Sequence, residues 1–77
     1  MTNMLDISDR DETIQVQGRV ARVTLRRHEG THIYVDVPSI IVEGGAILGP
    51  LAGRFVDERA ALIGARAHVE IYLQSAS

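Results

Sequence analysis

From Thr13 to Val37 apolar and polar residues alternate at a period of two, the signature of strands with one buried face. Ile14, Val16 and Val20 share one parity with Gly18 between them, whereas Val23 and Leu25 fall on the other. A strand changes its buried face only through a bulge or a sharp bend, which a glycine near the switch tolerates. The spacing therefore predicts one long bent strand serving two sheets, with Gln15, Gln17 and Arg19 outward before the switch and Arg22, Thr24 and Arg26 outward after it. Beyond a turn at Glu29 and Gly30, Ile33, Val35 and Val37 are expected to point inward, and His32, Tyr34 and Asp36 outward.

The remainder reads as material that closes this hairpin into a barrel. Pro38 cannot donate a ladder hydrogen bond and marks an end or an edge. Ser39 to Glu43 suits a short third strand. Gly44 to Arg54 holds four glycines and one proline in eleven residues, which argues against a regular helix, yet Ala46 to Leu48 and Leu51 need burial. That segment is expected to be a glycine-hinged loop or a short strand; alternatively it is an apolar contact site, with Ile47, Leu48 and Leu51 as partner-binding residues. Asp57 to Gly64 predicts a short helix: Asp57 caps it, Glu58 favours its positive end, Phe55 or Val56 staples its start, and Gly64 suits its left-handed end. Ala65 to Gln74 alternates again, with Ala67, Val69, Ile71 and Leu73 on one side, and reads as the last strand. The domain plan is a flexible acidic arm over residues 1–12, a barrel over 13–74 and a tail over 75–77.

A chain of 77 residues is one domain with a small core, and without cysteine it can have neither a disulfide framework nor a thiolate metal site. Self-association or a partner is then the available source of extra stability. No apolar run approaches a membrane span, and the first ten residues carry acids where a secretion signal would be basic, so a cytoplasmic location is expected. The net charge of −2 divides unevenly: Thr13 to His28 carries +4 from Arg19, Arg22, Arg26 and Arg27, leaving −6 elsewhere.

The order of glycine-bent strand (Ile14-Gln-Val-Gln-Gly-Arg-Val20), turn, second strand (His32-Ile-Tyr-Val-Asp-Val37), short helix and final Ala61-Leu-Ile-Gly-Ala-Arg-Ala-His-Val-Glu-Ile-Tyr-Leu73 resembles small OB-fold proteins, including the bacterial translation initiation factor one group. The resemblance is one of pattern over residues 13 to 73. It implies a mainly β fold, a small antiparallel β-barrel with one short helix before the last strand; an SH3-like barrel matches the same pattern. OB barrels have five strands, so Ala46 to Phe55 would have to supply one of them.

Such a sheet binds single-stranded RNA or DNA by stacking bases on aromatic rings within a positive groove. Arg19, Arg22, Arg26, His32 and Tyr34 are the candidate nucleic-acid-binding residues. The alternative function is protein recognition, as a self-associating subunit, an inhibitor or an acidic nucleic-acid mimic, through the apolar Gly44 to Arg54 segment. No serine, histidine and acid form a recognisable nucleophile motif, and the glycines are not spaced as a phosphate loop, so a non-enzyme without a cofactor is expected. His28, His32 and His68 make an unfavourable metal set, because His28 and His32 flank a turn and nothing aims their rings at one point.

Overall fold

The computed structural model describes the backbone of residues 7–76 and the side chains of residues 7–75. Four antiparallel strands are followed by one long helix: β1 Ile7–Val16, β2 Arg19–Glu29, β3 Ile33–Val42, β4 Ile47–Leu48 and α1 Glu58–Ala76. The strands form a simple meander in the order β1-β2-β3-β4, and α1 lies against one face of β1, β2 and β3. β1 and β4 are the edges, so the sheet is open and the expected closed barrel does not form among the described residues.

The switch of face near Gly18 is a hairpin turn, not a bend within one strand. Gln17 and Gly18 both take positive φ, 53° and 79°, and Val16 pairs with Arg19. This two-residue geometry matches the right-handed twist of the flanking strands. Ile14 and Val16 of β1 then share the helix side with Ala21, Val23 and Leu25 of β2, whereas Val20, expected inward, faces out. The acidic stretch expected to be an arm supplies the first half of β1 from Ile7 onward; the rest of that arm lies outside the described residues.

A second switch occurs in β3. Val35 and Val37 are buried before Pro38, Ile40 and Val42 after it. Thr24 pairs with Ser39 but Arg26 with Asp36, leaving Leu25 opposite both Val37 and Pro38. The extra residue makes a bulge, and a bulge is where an interior strand can hold a residue without an N–H. Pro38 thus bends a continuous strand instead of ending it, and the separate third strand expected over Ser39 to Glu43 is the second half of β3.

Gly44 to Arg54 carries the short strand β4 and then follows the free edge of β3. The Leu51 N–H donates to the Val37 carbonyl at 3.0 Å, and Phe55 and Val35 exchange two backbone hydrogen bonds at 2.8 and 2.9 Å. The Gly49–Pro50 peptide within this run is cis.

The helix begins as expected, with the Asp57 carboxylate accepting from the Ala60 N–H at 2.8 Å. It does not stop at Gly64: the last strand expected over Ala65 to Gln74 is the continuation of α1. Ala61, Ala65 and Val69 are fully buried and Leu62, Tyr72 and Leu73 half-buried, a three- and four-residue spacing that coexists with the alternation at Ala67, Val69, Ile71 and Leu73. Gly64 serves packing. A Cβ there would stand 2.8 Å from the Phe55 ring, so its absence lets that ring lie on the helix. The small residues Ala61, Gly64 and Ala65 bring α1 close to the sheet, and Val16, Val23, Leu25, Val35, Val37, Ile40 and Val42 complete the core. Each of these larger side chains contributes about 1.5–3 kcal/mol by leaving water.

Candidate binding face of the sheet

With α1 on one side, the other face of the sheet is open. Its residues follow from the register: Asp9, Asp11 and Thr13 of β1 stand opposite Arg26, Thr24 and Arg22 of β2, and His28 stands opposite Tyr34 of β3. Two regions of different chemistry share this face.

The region near the β2–β3 loop is polar and internally paired. Arg26 forks onto the Asp9 carboxylate at 2.9 and 3.1 Å. That bond holds the Asp9 carboxyl below its ordinary range and raises the Arg26 guanidinium. His28 Nε2 lies 2.9 Å from an Asp36 carboxylate oxygen, and its ring stacks on Tyr34 with centroids 4.3 Å apart and planes 11° from parallel. The Arg54 guanidinium stands over the Tyr34 ring at 4.4 Å. Two groups at that distance cannot share one ring face, so both faces of Tyr34 are covered. The Thr24 hydroxyl donates to Asp11 at 3.0 Å, extending the polar network toward the sheet centre.

The opposite region is apolar. Thr13, Arg22, Ile41 and Ile47 form one row across all four strands, because Thr13 pairs with Arg22, Arg22 with Ile41 and Ile41 with Ile47. Ile47 is 72% exposed, Ile41 41% and Val20, one step along β2, 36%. Val20 and Glu43 are tied by two hydrogen bonds, Glu43 N–H to the Val20 carbonyl at 2.8 Å and Val20 N–H to the Glu43 carboxylate at 3.1 Å. Val20, Arg22, Ile41 and Glu43 border an open depression of about 460 Å³. Arg22 has no ion pair among the described residues.

The structure divides the residues expected to bind nucleic acid. Arg22, Arg26 and Tyr34 share the open face. Arg19 pairs with Val16 and has the parity of the helix side, and His32 sits exposed in the β2–β3 loop. The trio expected to bind a partner divides too: Ile47 belongs to the exposed row, while Leu48 and Leu51 are half-buried against the core. The sequence pattern does not reveal Asp9, because residues 1–12 read as an arm, nor His28 as the partner of Tyr34. The signal for His28 was its parity, which it shares with Arg22 and Arg26.

On the helix side, Arg10 of β1 donates to Glu58 at the start of α1 at 2.7 Å. This bond is the main cause of the lowered Glu58 carboxyl and the raised Arg10 guanidinium. His68 is carried by α1, on the far side of the sheet from His28, and no group of three or more metal-ligating side chains forms among the described residues. No helix there is long and apolar enough to cross a membrane.

Comparison of the chain with protein-family models, with curated proteins and with solved structures finds no match.

Proposed function

We propose that this protein is a non-enzymatic binding module that docks a protein partner on the open face of its sheet, at the exposed apolar cluster of Val20, Ile41 and Ile47. The observation that supports this reading is the position of these three apolar side chains: Ile41 and Ile47 are paired by register, Val20 borders the same depression as Ile41, and all three are exposed on the face that α1 leaves uncovered. An exposed apolar cluster rimmed by charged groups is the usual composition of a docking surface. Arg22 and Glu43 supply that rim, one of each sign, which suits a partner with an apolar anchor flanked by polar groups.

Single-stranded nucleic acid draws less support from the same face. Arg26 is committed to Asp9, and a base reaching Tyr34 would first have to displace Arg54 or His28. Arg22 remains its free cation.

The two readings separate in one experiment. In-cell crosslinking with mass spectrometry of the wild type, Ile47→Asp and Arg22→Glu is set beside anisotropy titrations of labelled single-stranded RNA and DNA at two salt concentrations. The expected result is a partner crosslinked to the wild type and lost in Ile47→Asp, with no nucleic-acid binding. Salt-sensitive nucleic-acid binding that survives Ile47→Asp and is lost in Arg22→Glu would overturn the proposal in favour of the OB-like function.

A further inference from the structure

The two edges of the sheet differ in what the rest of the chain does to them. Along β3 the outer backbone groups are taken: the Val42 N–H donates to the Ala46 carbonyl at 2.8 Å, Leu51 donates to Val37, and Phe55 and Val35 bond each other. β1 has no such cover. Val16 and Arg19 flank the two-residue turn and exchange both of their ladder bonds, and so does every second pair before them: Ile14 with Ala21, Glu12 with Val23 and Arg10 with Leu25. The N–H and C=O groups of Ile7, Asp9, Asp11 and Thr13 therefore point away from β2, and no backbone partner meets them among the described residues. The Gln15 carbonyl, next in that series, accepts from Arg66 of α1 at 2.8 Å, which closes the edge at that end.

We propose that this bare run of β1 is a strand-addition site, which takes an extended segment of a partner protein carrying a lysine or arginine that faces Asp11. Unpaired donors and acceptors that recur at every second residue match the backbone of another strand. The side chains select which strand. Asp9, Asp11 and Thr13 are exposed on the open face. The Arg26 fork already neutralises Asp9, and Glu12 on the other face lies against Arg10. Asp11 has only the neutral Thr24 hydroxyl and meets no cation among the described residues, so a cation on the incoming strand supplies its charge partner. A second copy is a poor occupant. Two β1 edges related by a two-fold axis pair antiparallel, and an axis at any residue from Asp9 to Glu12 sets that charged residue opposite its own copy. An axis at Thr13 needs the Gln15 carbonyl that Arg66 holds. The charges thus oppose self-pairing at the edge and leave it open to a basic segment. This site is separate from the Val20, Ile41 and Ile47 cluster and does not rest on it.

Selection of a phage-displayed library of random strand-length peptides against the wild type is the test, with the selected peptides titrated by calorimetry and mapped by amide chemical shifts. They should alternate β-branched or aromatic residues with polar ones around a fixed lysine or arginine, and should shift the amides of Asp9, Asp11 and Thr13. Asp11→Lys should weaken their binding at least about tenfold. Asp11→Pro should abolish it and keep the circular dichroism of the wild type, because it removes an N–H that the sheet does not use. N-methylation of the peptide at every second residue should abolish binding in one parity and spare it in the other, a readout that stays decisive if a β1 variant fails to fold. A library that yields no binder would overturn the proposal, as would peptides indifferent to both Asp11→Lys and N-methylation. Peptides lost in Ile47→Asp but indifferent to Asp11→Lys would support docking on the open face and overturn docking at the edge. A wild type that self-associates in a form lost in Asp11→Pro would overturn the proposal in favour of a second copy.

Discussion

On the helix side of the sheet, β2 and β3 contribute Ala21, Val23, Leu25, Val35, Val37, Ile40 and Val42, all at 0–1% exposure. On the other side the same strands contribute Arg22, Thr24, Arg26 and His28, then Tyr34, Asp36 and Ile41. The first set is held by exclusion of water, which needs volume and shape and no particular partner. The second is held by specific pairings, Arg26 with Asp9 and His28 with Asp36 and Tyr34, each in contact with solvent. The difference teaches where change is tolerated. Exposed pairs contribute little to stability and leave the open face free to be shaped by binding, whereas the helix side has nothing to spare.

The largest expected effect is on the helix side. Leu25→Ala should cost about 2–5 kcal/mol, read from the urea midpoint, because Leu25 is wholly buried in the core and its truncation leaves a void there. If the loss is no greater than that of an exposed-face substitution, the contrast between the faces fails.

A smaller effect tests the contact between Phe55 and Gly64. Gly64→Ala should destabilise by about 1–2 kcal/mol, because the new methyl meets the Phe55 ring, even though alanine is the better helix former. In a Phe55→Ala background the same substitution should instead stabilise by about 1 kcal/mol, since only helix propensity remains. A double-mutant cycle in denaturant with no change of sign would remove Gly64 from its packing role.

The smallest effect belongs to the ion pairs. Asp9 and Glu58 have folded pKa values below their ordinary values of 3.8 and 4.5. Their contribution is therefore fully present above those values and is lost as pH falls through the lower folded ones. The melting temperature should decline between about pH 5 and pH 2, and Arg26→Ala should remove the Asp9 share of that decline. A wild-type curve that Arg26→Ala leaves unchanged in shape would show that the fork to Asp9 is not maintained in solution.

Legibility in the sequence followed local physics. Period-two alternation placed Val16, Val23, Leu25, Val35 and Val37 on buried faces, and the Asp57 cap marked the start of α1 to the residue. The open-face positions of Arg22, Arg26 and Tyr34 came from the same parity. Errors arose where one residue type serves two geometries. Gly18 suits a bend or a hairpin turn, Pro38 a strand end or a bulge, and Gly64 a helix end or a close approach, and nothing adjacent in sequence distinguishes them. The stretch Ala65 to Leu73 satisfies a strand's alternation and a helix's three- and four-residue spacing at once.

The sequence by itself determined the alternation that sets Val23, Leu25, Val35 and Val37 apart from their polar neighbours, and where turns are permitted, because hydrophobicity and backbone freedom are properties of single residues and their near neighbours. Only the tertiary structure decided that the sheet stays open, that α1 runs through Gly64 to cover one face, and that Asp9, His28 and Arg54 meet Arg26 and Tyr34. Those outcomes depend on register and on contacts between residues far apart in the chain. A shift of one position in a strand exchanges its two faces, so no local pattern fixes them until the strands are paired.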